Sequence, residues 1–390
     1  MKLAIVIPRY GPKIVGGAES FARQLAEHLP TSEYDVEVLS TCAHDLTTGQ
    51  NVYPAGLTYI NGVRVRRFLI DTRFRDVARF HAINRKLSMQ VPLDVAEQYA
   101  WIDNNIHSPA LYSYLVRYGE QFDLLLFIPY LYGITYYGSV LHPQKTVLWP
   151  CLHDEAFAYF LETRLMLTAC RGVMLNSEPE LQLLREQLKL LVSRPAIVGG
   201  GIEIPVVNTQ RFRRKWKIRD PFLLYAGRLT AAKNVDTLIA YFIRYKQKHP
   251  GPLKLVLMGE GDLPLPRHSD ILSIGFQSEE DKHDVYAAAT ALLQPSLMES
   301  FSIVIMESWA VGVPVLVHGD CEVTRHHVTH SNGGLYYTNF AEFTGVLDWL
   351  LTHPTERAAM GQLGRSYVLQ KYNWAAVLAR FREAVALWTT

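Results

Sequence analysis

The sequence predicts an α/β protein built from two doubly wound parallel sheets. Three observations carry this prediction. Short, nearly all-apolar segments alternate with amphipathic stretches along the whole chain; the alternation runs twice, with a glycine-containing stretch between the halves; and 390 residues exceed the roughly 250–300 at which one hydrophobic core stops growing. Apolar runs of this length read as strands covered on both faces. Their alternation with helical patterns makes the sheets parallel.

In the first half the expected strands are 3–7, 36–40, 63–68, 124–128, 146–148, 173–175 and 196–198, and the expected helices include 18–29, 109–118 and 178–191. The uncharged stretch 124–141 would alarm a hydropathy window, but Pro129, Gly133, Gly138, Ser139 and four tyrosines interrupt it, so it reads as a strand followed by a polar-aromatic loop. In the second half the strands are 222–226, 253–258, 271–274, 291–294 and 315–317, with helices over 235–248, 278–289 and 303–311. Gly199, Gly200, Gly201, Pro205 and a basic run up to Pro221 read as the linker. The segment 372–388 has an amphipathic helical pattern. The expected division is 1–205, 206–370 and a final helical segment 371–390.

Composition excludes several classes. At 49% apolar and 19% charged the chain folds rather than remaining disordered. The net charge is +2, with 19 basic and 20 acidic residues up to position 205 and 20 against 17 beyond it, so neither half has the excess of a nucleic-acid binder. Two basic runs, eight residues from Arg64 to Lys86 and six from Arg211 to Arg219, read first as solvated faces or linker. A site for an anionic acceptor or a membrane surface is the alternative. Cys42, Cys151, Cys170 and Cys321 are scattered, which suggests reduced thiols in a cytoplasm. The apolar run before Pro8 is five residues long, too short for a signal peptide or a membrane span.

The chemistry concentrates in loops that follow strands, where open α/β sheets bind ligands. The loop from Pro8 ends in Gly16-Gly17-Ala18-Glu19 at a helix start, where exposed N–H groups favour an anion; a plain helix-entry turn reads equally well. It lacks the G-x-G-x-x-G spacing of a dinucleotide fingerprint. Gly227-Arg228 ends a strand, and Lys233-Asn234 precede a helix. Arg and Lys together suit a diphosphate, one by bidentate bonding and the other as a point charge. Gly259-Glu260-Gly261 adds another glycine turn at the same sheet edge. The segment from Pro295 places Glu299 in a loop, Ser302 as a helix N-cap and Glu307 more than one turn into the helix. Carboxylates so placed accept hydrogen bonds from vicinal sugar hydroxyls.

Taken together these residues resemble the retaining GT-B glycosyltransferases, most closely those of family 4. Glu299 and Glu307 form the E-x7-E pattern, and the Gly-Gly-Ala-Glu loop, the Gly-Arg-x(4)-Lys-Asn segment and the Gly-Glu-Gly turn extend the match over nearly the whole chain. The resemblance implies two facing Rossmann-like domains with the active site in the interdomain cleft, and a final helix crossing back to the first domain. It implies that Arg228 and Lys233 bind the donor diphosphate, that Glu307 takes the nucleotide ribose, and that Glu299 takes the transferred sugar. Phe301, Ser302 and Ile303 would line the donor through backbone N–H groups, and Gly275, Phe276 and Gln277 would read the base largely by backbone. Gly17 would lie near the donor phosphate, and Gly16 and Gly17 on the acceptor side. His153, in Cys151-Leu152-His153-Asp154-Glu155, resembles the family's histidine that contacts the donor sugar.

The implied reaction moves a hexose from a nucleotide diphosphate sugar, UDP-glucose first among donors by frequency in the family, to a saccharide or lipid-linked saccharide in cell-surface polysaccharide synthesis. A sugar-nucleotide epimerase and a catalytically silent nucleotide-sugar-binding subunit are the alternatives. No Asp-x-Asp occurs, so no metal and no cofactor are expected; Arg228, Lys233 and a helix N-terminus would neutralise the leaving diphosphate. A metal at Cys151 and His153 lacks a spaced partner pair. His326, His327 and His330 show i, i+4 spacing but lack the H-E-x-x-H glutamate and are expected in a loop without metal. The stretch His318-Gly319-Asp320-Cys321-Glu322-Val323 departs from the family's Gly-Gly-x-x-Glu. The expected location is the cytoplasm, with peripheral contact at the inner membrane face and oligomeric state left open.

Overall fold

The computed structural model describes every residue except Val15, Phe74 and Thr390. The chain forms two compact units, Met1–Gly201 together with the segment from Leu378 onward, and Ile202–Val377. The first division therefore falls four residues before the expected one, and the last segment from Leu378 rejoins the first unit.

In the first unit, strands β1 (Lys2–Val6), β2 (Asp35–Thr41), β3 (Gly56–Ile60), β4 (Val63–Phe68), β5 (Leu124–Phe127), β6 (Thr146–Leu148), β7 (Gly172–Leu175) and β8 (Pro195–Ile197) form one sheet. Its order is β3-β4-β2-β1-β5-β6-β7-β8, and each pairing is parallel except β3 with β4. The apolar-run criterion misses β3 because that edge strand is largely exposed and alternating. Its signal lay in Asn61-Gly62, whose positive φ angles of 48° and 82° make the tight hairpin turn that suits the right-handed twist of two strands.

In the second unit, β9 (Phe222–Ala226), β10 (Lys254–Met258), β11 (Ile271–Gly275), β12 (Ala291–Gln294), β13 (Val315–His318) and β14 (Gly334–Tyr337) form a parallel sheet of order β11-β10-β9-β12-β13-β14. Both faces are covered, as the unbroken apolar runs require. Leu224, Val256, Leu292 and Val315 pack on one side with Met306 and Trp309, while Leu223, Leu255, Leu293 and Leu316 pack on the other with Leu238, Phe242 and Phe343.

Other segments also differ from expectation. Residues 133–139 form a helix (Gly133–Ser139), not a loop, because Gly133 and Gly138 allow close approach of His107 and Phe127. The basic run of the expected linker is a helix, Thr209–Trp216, whose Asn208 side chain caps its first N–H groups. Its Arg211 pairs with Glu280 and Asp284, and its Lys215 with Asp281, so these two charges are paired within the unit. The expected helix 178–191 stops at Gln182 and continues as a π-helical turn, Leu183–Gln187.

The final helix, Trp374–Thr389, buries Phe381 and Trp388 completely. The Trp388 indole lies over Gly172 of β7, where a Cβ would come within 2.0 Å, and its Nε1 donates to the Arg194 carbonyl at 3.2 Å. Arg382 pairs with Glu33, and Arg380 donates to the Val198 carbonyl.

Candidate functional site

In the second sheet the chain builds outward from β9 to β10 and β11, then crosses back to lay β12 on the other side of β9. At this reversal the loops after β9 and β12 diverge and leave a crevice at their carboxyl ends. The loop after β9 carries Arg228 and Lys233, and the loop after β12 carries Glu299.

Glycines fix the loop after β9 by backbone contact. A Cβ on Gly259 would lie 2.0 Å from the Gly227 carbonyl oxygen, and one on Gly261 2.1 Å from that of Leu229. The turns interlock through Gly227 N–H to Met258 O and Leu229 N–H to Glu260 O, both at 3.0 Å. The Gly-Glu-Gly turn thus serves loop-to-loop packing, and it holds the Arg228 loop in place. The buried Tyr225 hydroxyl donates to the Arg228 carbonyl at 2.8 Å. Asn234, left-handed at φ 57°, donates its side-chain N–H to the Pro295 carbonyl and ties this loop to the one bearing Glu299.

Lys233 Nζ donates to Glu299 Oε1 at 2.8 Å, joining the two loops at the switch point. Gln294, at the end of β12, donates to the same carboxylate oxygen at 3.4 Å and to Ser302 Oγ at 3.1 Å. Arg228 is exposed, and its guanidinium has no hydrogen-bond partner among the described residues. Arg228, Thr230, Lys233, Asp262 and Leu263 line a cavity of about 450 Å³.

Ser302 departs from its expected role. It precedes the Ile303–Ala310 helix in a left-handed conformation, φ 65°, and its side chain makes no capping bond because Oγ accepts from Gln294. The N–H groups of Phe301, Ser302 and Ile303 have no hydrogen-bond partner among the described residues, so they remain able to bind an anion. The Phe301 ring is buried in the core. Phe276 follows β11 and is 59% exposed, and Gln277 turns inward to donate to the Ile274 carbonyl.

Glu307, the fifth residue of that helix, is held by two residues that the sequence patterns do not reveal. Lys282 Nζ donates to Oε1 at 2.7 Å and the Tyr286 hydroxyl to Oε2 at 2.9 Å, both from the Glu279–Ala288 helix. Burial opposes the Lys282 charge, but the Glu307 and Glu279 carboxylates outweigh it and raise its pKa above the ordinary value.

In the first unit the order reverses between β1 and β5. After β1 runs the loop ending in Gly16-Gly17; Val15 within it lies outside the described residues. A Cβ on Gly16 would meet the Glu19 carboxylate at 2.1 Å, and that carboxylate pairs with Arg9. Gly17 opens the first helix with no atom of the described residues beyond its chain neighbours within 4 Å of its Cβ position. His153 lies in the loop after β6, its Nδ1 3.5 Å from Glu155 Oε1, which in turn accepts from Tyr130. Glu180 anchors this loop, accepting from Leu152 N–H and Asn176 N–H at 2.6 Å each. Burial pushes its carboxyl up to about 8 against those two bonds, and burial pushes the Cys151 thiol up to about 12.

His326, His327 and His330 lie on a helix, Glu322–Ser331, not in a loop. His327 is fully buried with Nδ1 3.0 Å from the Tyr367 hydroxyl, while His326 and His330 stack at 3.9 Å. Among the described residues, the three side chains that come together as potential metal ligands are Glu279, His283 and Glu307. The Lys282 ammonium already bonds both carboxylates, so that group does not fit a cation. Of the basic run from Arg64 to Lys86, six residues are occupied within the unit: Arg64, Arg66, Arg73 and Lys86 by carboxylates, and Arg67 and Arg75 by carbonyls. No helix among the described residues is long and apolar enough to cross a membrane.

Residues 207–367 match the family described as Glycosyl transferases group 1. An uncharacterized glycosyltransferase of Methanocaldococcus jannaschii is 24% identical, covering 96% of this chain and 95% of its own. The alpha-monoglucosyldiacylglycerol synthase of Streptococcus pneumoniae is 22% identical over 91% of this chain and 79% of its own. Among solved structures, sucrose-phosphate synthase from Thermosynechococcus elongatus superposes with a TM-score of 0.73 at 18% identity, covering 99% of this chain and 98% of its own. Anabaena HepE in complex with UDP and glucose does so with a TM-score of 0.73 at 15% identity and 99% of both chains.

Proposed function

We propose that this chain, whose residues 207–367 match the glycosyl transferases group 1 family and whose two units have the GT-B fold, is a retaining, metal-independent hexosyltransferase using a UDP-sugar. The observation that carries the reading is the Lys233–Glu299 ion pair at the switch point, beside an Arg228 guanidinium and N–H groups at 301–303 that have no hydrogen-bond partner among the described residues. In this reading Arg228 and Lys233 engage the donor diphosphate, aided by the helix N-terminus. Lys233 then leaves Glu299 able to accept from hydroxyls of the transferred sugar. Glu307 accepts from the ribose, and Phe276 and its neighbours flank the base.

The leaving phosphate receives the acceptor's proton, so neither a metal nor a carboxylate nucleophile is needed; the absence of Asp-x-Asp supports this. UDP-glucose is the first donor to try, since the HepE neighbour was solved with UDP and glucose. A saccharide or lipid-linked acceptor, bound near Gly16 and Gly17, is supported by the diacylglycerol relative. Scattered free thiols support a cytoplasmic location.

The test is a turnover assay with UDP-, GDP- and ADP-glucose, with and without saccharide and lipid acceptors, in EDTA. Release of nucleotide with formation of an α-glycoside supports the reading. Inversion at the anomeric carbon, an absolute need for Mg²⁺ or Mn²⁺, or epimerised donor without transfer would each overturn a named part of it.

A further inference from the structure

Glu307 is fixed before any ligand arrives. Lys282 bonds one carboxylate oxygen and Tyr286 the other, and Lys282 is itself held by Glu279 at 2.8 Å. Lysine and glutamate side chains here are only 19% and 14% exposed. Position 282 lies one turn before Tyr286 on the inward face of its helix, a place where an apolar side chain would be cheaper than a desolvated ammonium. The ammonium therefore has a cost that packing alone does not explain.

An ionised carboxylate offers about four lone-pair positions. Two are taken, one on each oxygen, which leaves one on each oxygen for two adjacent hydroxyls. Holding both oxygens in the free protein removes the rotamer entropy that a mobile glutamate would lose on binding a diol. The ammonium has three N–H groups and uses two on carboxylates.

We propose that Lys282, with Tyr286, is a positioning residue for the nucleoside end of the donor: the pair pre-sets Glu307 so that its two remaining lone pairs meet the vicinal hydroxyls of the ribose. This rests on the reading of Glu307 as the ribose-binding group.

Calorimetry on the full chain tests it, using the tightest binder among UDP, GDP and ADP and its 2′,3′-dideoxy analogue. The wild type should prefer the ribose form. Lys282→Met should weaken the ribose form about tenfold, as loss of a charged hydrogen bond does, while scarcely affecting the dideoxy form. Lys282→Arg should restore most of the preference. A merely structural lysine would weaken both nucleotides alike, and that result, or an unchanged preference in Lys282→Met, overturns the proposal. Tyr286→Phe, which removes only one hydroxyl, gives the same reading should Lys282→Met fail to fold. Glu307→Gln separates the two levels of inference. If it binds both nucleotides as the wild type does, the ribose reading itself falls; if it loses the preference while Lys282→Met keeps it, only the role of Lys282 falls.

Discussion

Arg228 and Lys233 stand five positions apart and were equivalent in the sequence, yet their surroundings make them different reagents. The Arg228 guanidinium has no hydrogen-bond partner to lose among the described residues, whereas Lys233 holds Glu299. Arg228→Ala should cost about 1.5–3 kcal/mol of donor binding and leave the melting temperature unchanged. Lys233→Ala should lower kcat as well, since it also releases Glu299. Steady-state kinetics beside thermal melts would separate them, and identical profiles would contradict the assignment. His327 yields a prediction of another kind. Burial first, then the neighbouring His326, His330 and Lys371 charges, push it down to about 3 from an ordinary 6.5. The folded state therefore binds fewer protons than the unfolded one across that window, so stability should fall as pH drops below about 6.5, by up to about 1.4 kcal/mol per pH unit. His327→Phe should flatten the dependence; equal slopes in urea melts between pH 7 and 5 would refute it. Glu299, Glu307, Arg228 and Lys233 stand out in the sequence because they belong to motifs of fixed spacing, and their assigned roles come from the resemblance those motifs carry. Lys282, Tyr286 and Gln294 do not. The bonds of Lys282 and Tyr286 to Glu307 depend on which helix packs beside which, and Gln294 reaches Glu299 and Ser302 only through the turn of the intervening loop; no local period encodes either.

Among elements, the strands were legible where both faces are covered, because continuous apolar sequence is the direct imprint of that burial. The exposed β3 and the short, glycine-led β14 leave no such imprint. Spacing placed the Gly-Glu-Gly turn at the right sheet edge but could not show that its neighbour is another loop's backbone. Gly259→Ala forces a Cβ against the Gly227 carbonyl at a φ of 135°, so the two turns must part. We expect a loss of roughly 1–3 kcal/mol in stability, as for other overpacked sites, together with weaker nucleotide binding because the Arg228 loop moves. Wild-type melting and wild-type affinity in this variant would show that the interlock has no such role. The helix that carries Glu307 was foreseen within a residue at each end, while its cap was misread. Serine before a helix normally caps it, but here Gln294 takes the hydroxyl and the backbone turns left-handed.

At the scale of the molecule, the first unit is discontinuous in sequence, and the second is an uninterrupted stretch. The returning helix contributes Phe381 and Trp388, both completely buried, and covers β7 at Gly172. Trp388→Ala should destabilise the first unit by about 3–5 kcal/mol, the usual range for emptying a buried tryptophan site. A two-step denaturation curve in which only one transition shifts would fit; a uniform shift of both, or none, would not. The same connectivity sets an order of assembly during synthesis. Domains generally fold as units, the N-terminal one first, as the chain emerges. Here residues 1–201 leave the ribosome without the helix that closes their sheet, and the whole of 202–377 must be made before it follows. The unit begun first is therefore completed last, and in the interval its β7 surface is open to whatever apolar partner, chaperone or neighbouring nascent chain, reaches it before Trp388 does.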